Sequence, residues 1–352
     1  MATILDVARR AGVAKSTVSR VLNGQGYTSD KTREAVFKAI EELNYRPNAL
    51  ARTLAKQSTD TIGLILPMGT SASKYLASFI DEVNKMAARV GKAIIMKQVA
   101  DQPGGALNAI NELIDHRCEA VLYYNPSGNH NYQETIEQLN EKIETFPVPV
   151  VVINSYLPDH ADHCVWYDHV KFAAAPVDYL VANGHKKIAF ISLPLSQRTT
   201  QLRMQGYKQA LSRAGLDFDE SLFVESVKCA DESGVVDVSK SGYNACKQLL
   251  ERGQEFTALC CVNDLLAIGA LKALTEAGIA VPEQVSLFGF DDDPVLNYFS
   301  PSISSVILPS KQIINHAIEL TIAHLSKKEL PVYDEQGTQS QLVIRNSVKA
   351  LN

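Results

Sequence analysis

Four side chains near the amino terminus, Lys15, Ser16, Ser19 and Arg20, fall along one face if residues 15 to 23 are helical. An ammonium, a guanidinium fork and two hydroxyls in such a row can bond phosphate oxygens and reach base edges. Arg20 suits a guanine edge through two parallel hydrogen bonds. A second set sits where apolar runs stop. Arg203 opens a helical pattern with a planar fork of donors, Asn263 ends TALCCVN and can both donate and accept, and Asp291 ends LFGFD and can accept from two hydroxyls. Together they could hold a hydroxyl-rich small molecule, although any one alone is equally a solvated loop group. Asp168, after VWY, either joins such a site or caps the helix that follows. Ser71 and Tyr75, beyond the run TIGLILP, are placed to line the first lobe.

The first set needs a short helical frame, and the chain supplies one. Thr3 can cap a helix with Asp6 closing a capping box, and Ile4, Val7, Ala8 and Ala11 form its apolar face. Gly12 can take the left-handed conformation of a sharp corner. Val18, Val21 and Leu22 then turn inward, leaving the polar row outside. A third helix over 28–45, capped at Ser29 or Asp30, offers Val36, Ile40 and Leu43. The pattern is a helix-turn-helix whose second helix has the side chains of a major-groove reader; the other reading is an αα-hairpin with a solvated polar face.

The segments DVARRAGVAKSTVSRVLN and ELNYRPNALARTLA, in this order and spacing, closely resemble the LacI/GalR family of bacterial transcription regulators. The resemblance implies that Lys15, Ser16 and Arg20 read bases, while Thr17, Asn23, Tyr27, Ser29 and Thr32 contact the DNA backbone. It also implies that 46–58, following the helix-turn-helix domain 1–45, is a hinge helix that orders on operator DNA and pairs with its symmetry mate. Within it Leu54 would enter the minor groove as an apolar wedge, and Arg52 would reach phosphate or groove edges. One departure is Ala14, where many members have serine before the recognition helix; this removes a hydroxyl cap and a phosphate contact, with Ser16 and Thr17 as substitutes.

The 352 residues allow two or three domains, and 46% hydrophobic with 21% charged residues is ordinary for a globular protein. The net charge of −5 is unevenly spread: residues 1–58 hold ten Lys or Arg against five Asp or Glu, and the remainder 24 against 34. Positive charge thus collects on the proposed reading head. The six cysteines show no CxxC pair and no metal-ligand spacing with histidine, so they are expected to be reduced thiols packed as small hydrophobes, with no metal and no cofactor. With no leader-like segment and no apolar run of 18 residues, the expectation is a soluble, cytoplasmic, nucleoid-associated protein that makes no membrane contact.

From residue 59 the pattern becomes βαβ. TIGLILP (61–67), AIIMKQV (93–99), AVLYYN (120–125) and PVVVIN (149–154) read as buried parallel strands with helices between them. KIAFISL (187–193), SLFVESV (221–227), TALCCVN (257–263) and VSLFGFD (285–291) repeat the cycle. The predicted fold is therefore a small all-α head followed, over 59–352, by an α/β core of two doubly wound lobes, with SSVILP, a helix over 311–326 and QLVIRN crossing back between them. NGHKKIAFI, RMQGYKQAL and VPEQVSLFGFDDD continue the family resemblance, which implies a periplasmic-binding-protein-like core and a ligand contact at Arg203. Lys171, Ile307 to Ser310 and the stretch 226–240 depart from the family's ligand-contact pattern, so sugar identity does not transfer.

These readings give a homodimeric transcription repressor on a pseudo-palindromic double-stranded operator, its affinity controlled by a small-molecule effector, a sugar or glycoside. The alternatives are a nucleobase-type corepressor, or a sugar-binding receptor without DNA function. No G-x-G-x-x-G, P-loop, G-x-S-x-G or H-E-x-x-H supports an enzyme, and the eight histidines read as scattered surface or capping groups.

Overall fold

The computed structural model describes residues 2–23, 27–45, 59–68, 74–100, 102–125, 131–230, 236–331 and 341–351, with backbone alone at Asn23, Lys74, Tyr75 and Ser78. The chain divides into two units, 1–59 and 60–352. In the first, Thr3 caps α1 (Ile4–Ala11): its hydroxyl accepts from Asp6 N–H while the Asp6 carboxylate accepts from Thr3 N–H at 2.9 Å. Gly12, at φ 67, ends the helix and donates to the Ala8 carbonyl. Helix α2 (Lys15–Asn23) follows, and α3 (Asp30–Glu42) starts at Ser29, whose hydroxyl accepts from Thr32 N–H. The three helices close on Val7, Ala8, Val18, Val21, Val36 and Ala39, with Ile4, Ala11, Leu22, Ile40 and Leu43 packed around them.

The second unit begins with β1 (Thr61–Pro67), α4 (Lys74–Arg89), β2 (Ala93–Val99), α5 (Gly105–Asp115), β3 (Ala120–Tyr124), α6 (Tyr132–Lys142), β4 (Val150–Ile153) and β5 (Cys164–Val165). These strands form one parallel sheet in the order β2-β1-β3-β4-β5. Chain order reverses at β1, as in a doubly wound sheet, where ligands bind beyond the strands' carboxyl ends. Two details depart from expectation. Strand β2 is an edge strand and not a buried one, leaving Ile95 and Met96 exposed. Strand β5 is too short, at two residues, to leave a hydrophobic period.

The chain then crosses into the second lobe: α7 (His169–Ala182), β6 (Ile188–Ser192), α8 (Arg198–Arg213), β7 (Phe223–Glu225), α9 (Val238–Glu251), β8 (Ala258–Cys261), α10 (Asp264–Glu276) and β9 (Ser286–Phe288). Its sheet runs β7-β6-β8-β9, all parallel. Strand β10 (Ser305–Ile307) leads to α11 (Ser310–Ser326), which packs on α4 and on β3, β4 and β5 of the first lobe. Strand β11 (Gln341–Val343) returns to pair antiparallel with β10, and Leu287 N–H and Leu351 N–H bond the carbonyls of Ser347 and Asn183. The tail does cross back between lobes.

Five of the six cysteines are buried and all are free. Burial pushes the Cys246 and Cys260 thiols up to about 12, as inert packing groups. The second lobe's densest contact is α9 against α10, where Gly269 lets the backbones touch: a Cβ there would lie 1.9 Å from the Ser239 carbonyl oxygen and 2.6 Å from Tyr243 N. Gly269→Ala should therefore cost about 2 kcal/mol, since backbone cannot yield as a side-chain tip can. Urea unfolding of the core reads this, and an unchanged midpoint would contradict it.

Candidate functional site

On the helix-turn-helix unit, the seam of Val18 and Val21 fixes which way α2 faces. Lys15, Ser16 and Arg20 are exposed, and Thr17 and Ser19 are half-buried. Tyr27 is 96% exposed. Ser29 and Thr32 are bound to each other at 2.9 Å as part of the α3 cap, so their hydroxyls already have a structural task. Asn23 lies in α2, while Arg52 and Leu54 fall outside the described residues.

In the core, Arg203 is 7% exposed, and its guanidinium donates to the Val262 carbonyl and, at 3.3 Å, to Asp291 Oδ1. It lies 3.7 Å over the Phe290 ring. Burial raises the Asp291 carboxyl above its usual range, and the Arg203 charge pulls against that rise. The structure thus joins two of the three residues singled out, although Arg203 does not open a helix as expected but lies inside α8, which starts at Arg198. The third, Asn263, spends its side-chain oxygen capping α10, where it accepts from Leu266 N–H at 2.9 Å. Asp168 caps α7, accepting from Lys171 N–H at 2.8 Å. Ser71 lies outside the described residues, as does the Tyr75 side chain.

The groups that sequence reasoning missed are the polar residues ending the other strands. Asn125 follows β3, Ser155 lies just past β4, Ser192 ends β6 and Ser226 follows β7. Asn125 Nδ2, Ser155 Oγ, Ser192 Oγ, Ser226 Oγ, Arg203 Nε and His169 Nδ1 are all buried without a hydrogen-bond partner. Buried polar atoms are normally satisfied, so these six, on or next to the carboxyl ends of the two sheets, form the candidate ligand site; the other such atom among the described residues is Asn315 Oδ1 on α11. Their roles can be read from neighbours. The Tyr123 hydroxyl donates to Asn125 Oδ1 at 3.1 Å, leaving Nδ2 as a spare donor. Asn154 donates to the Asn125 carbonyl, so its Oδ1 accepts from His169 Nε2 at 2.9 Å, which leaves Nδ1 of the neutral ring as a spare acceptor. The signal available in the sequence was a polar residue closing each apolar run, as in AVLYYN and PVVVIN.

The histidines also differ from expectation: His163, His169 and His185 are buried, and His185 bridges Thr257 Oγ1 and the Lys349 carbonyl. Burial holds the His169 pKa well below its usual 6.5, and the Arg203 charge acts in the same direction. Below pH 6.5 the unfolded chain then binds a proton that the native state does not, so this stability is complete above 6.5 and is lost as pH falls. His169→Gln should flatten the fall in core stability below pH 6.5 by up to about 1.4 kcal/mol per pH unit in urea unfolding. Parallel slopes for both proteins would contradict a neutral buried ring.

Comparison with known proteins agrees with both halves of this geometry. Residues 3–48 match the bacterial regulatory proteins of the lacI family, and 177–348 match a periplasmic binding protein-like domain. The chain is 38% identical over 318 residues to the HTH-type transcriptional regulator AscG of Escherichia coli (strain K12), covering 90% of each. A crystal structure of a LacI-family sugar-binding transcriptional regulator from Escherichia coli, in complex with phosphate, aligns with a TM-score of 0.71 at 30% identity, over 84% of this chain and all of that one. The lac repressor dimer bound to operator and the anti-inducer ONPF aligns with a TM-score of 0.82 at 25% identity, over 99% of each chain. No helix among the described residues is long and apolar enough to cross a membrane. With a lacI-type reading head joined to a periplasmic-binding-type core and full-length relatives of the same build, the chain belongs to the LacI family of transcription regulators.

Proposed function

We propose that the protein is a homodimeric repressor that binds a pseudo-palindromic operator in nucleoid DNA and changes its grip when a sugar or glycoside enters the core. The observation that carries the sensing half is the set of six buried polar atoms without a partner. They mix spare donors (Asn125 Nδ2, Arg203 Nε) with a spare acceptor (His169 Nδ1) and three hydroxyls that do either. A polyhydroxylated ligand can answer all of them, since each of its hydroxyls donates and accepts. A flat nucleobase is a poorer fit, because the Phe290 face is covered by Arg203. Asp291 and Asn263 would join by exchanging part of their present bonds for ligand hydroxyls, with Asp168, Ser71 and Tyr75 as flanking candidates.

The DNA half rests on the exposed row Lys15, Ser16 and Arg20, with Ser19 beside it, over a buried apolar seam. In this reading 1–45 is the reading head, 46–58 the hinge and 59–352 the sensing core. Thr17, Asn23, Tyr27, Ser29, Thr32 and Arg52 position the duplex, and Leu54 wedges the minor groove. Pairing of two copies is supported by the apolar surface that β2 leaves exposed at Ile95 and Met96, and by the dimeric state of the similar lac repressor. Effector contact with both lobes favours one closure state over another, a coupling typically worth about 1–3 kcal/mol.

The direct test is fluorescence anisotropy on the chain's own promoter DNA, with and without each member of a sugar panel; no sequence-specific retention at low salt would overturn the reading. Arg20→Ala should weaken binding to the palindromic site by about 1–3 kcal/mol and leave non-specific binding nearly unchanged. Equal loss on every sequence would remove its base-reading role. Asn125→Ala should weaken the effector about tenfold, the worth of one buried hydrogen bond, while effector-free operator affinity stays the same. Unaltered effector binding would take Asn125 out of the site.

A further inference from the structure

On the first lobe, at the turn leading into β5, three potential metal ligands from distant parts of the chain converge: Asp162, His163 and His324, the last from the final turn of α11. A ring nitrogen of each histidine and a carboxylate oxygen of Asp162 all lie within 4.8 Å of one another. The two rings are 4.3 Å apart between centroids, tilted by 34°. We propose that Asp162, His163 and His324 form a binding site for a zinc-type divalent transition-metal ion, one that clamps α11 to the edge of the first lobe's sheet.

Three features favour this over a chance encounter. First, both rings are already oriented through backbone carbonyls. His163 Nδ1 donates to the Val150 carbonyl at 2.8 Å, and His324 Nε2 to the Asp162 carbonyl at 2.9 Å. A carbonyl only accepts, so whenever a metal displaces the second proton the opposite nitrogen of each ring offers its lone pair, the arrangement that supports metal-ligating histidines elsewhere. Second, His163 is buried, so the surrounding core holds its ring in place beside that of His324. Third, the donor set suits the ion: two imidazoles and a carboxylate fit zinc, with water completing a tetrahedron. Donors about a tetrahedral zinc lie about 3.3 Å apart, so the cluster must tighten, and Asp162, which is exposed, has the freedom to do it. His160 stands next to the cluster, 6.1 Å from His163 between centroids, with its Nδ1 3.5 Å from Glu144 Oε1.

The test is calorimetric titration of ZnCl2 into the untagged full-length protein after chelator treatment, paralleled by the visible absorption of bound Co2+. The expected result is one ion per chain, with affinity reduced at least tenfold in His324→Ala and in Asp162→Asn, both still folded by circular dichroism. His163→Ala is a poorer probe because His163 also holds Val150. Absence of saturable uptake by the wild-type protein, or wild-type affinity in both variants, would overturn the proposal. The outcome is independent of whether the chain binds operator or sugar.

Discussion

The core is built around a permanent charge that it keeps from water. Arg203 cannot shed its proton, so with 7% of it exposed its surroundings must supply compensation. They do so from three directions: the Val262 carbonyl, the Asp291 carboxylate and the face of Phe290. Those partners also fix the path of the chain. Phe290 packs in the first lobe's core while Arg203 stands on α8 of the second, so the same contacts tie the lobes where the chain leaves one for the other. Removing one partner of such a pair typically costs about 3–5 kcal/mol, because the remaining charge is stranded. Asp291 and Asp292 adopt positive φ values of 102 and 56 to make the turn, and Asp292 is held by Arg345 at 2.7 Å.

Around this anchored charge the strand ends are left deliberately unfinished. Asp264 shows the opposite state: buried and with its carboxyl pushed well up by that burial, it accepts from Ser305 Oγ at 2.6 Å and Asp293 N–H at 2.7 Å. The contrast between that closed network and the open one at Asn125, Ser155, Ser192 and Ser226 is what distinguishes a structural cluster from the proposed ligand site. A protein that leaves six such groups unpaired gives up stability that a ligand can restore, and that makes a ligand able to shift the equilibrium between lobe arrangements.

Much of this architecture was legible in residue order. The caps at Thr3, Ser29 and Gly12, and the inward valines, follow from helix periodicity, and β1, β3 and β4 announce themselves because strands covered on both faces read as unbroken apolar runs. The exposure of β2 was not legible, because an edge strand with Ile95 and Met96 has the same composition as a central one. The two residues of β5 carry no period at all. Arg203 and Asp291 stood out by charge, but their pairing spans 88 residues and is visible only in three dimensions. Asn263 and Asp168 illustrate how a single side chain can satisfy both a cap pattern and a ligand pattern. The histidines seemed scattered because His163 and His324 meet only after α11 folds back over the first lobe.

The account's central claim is that filling the core changes how the head holds DNA. Calorimetry with the one sugar in a panel that binds, titrated separately into free protein and into protein saturated with its operator, measures this coupling without reference to any single residue. The account predicts two different dissociation constants, separated by about five- to 150-fold, with the same factor reappearing in operator affinity measured with and without the sugar. One dissociation constant, unchanged by the operator, would contradict it.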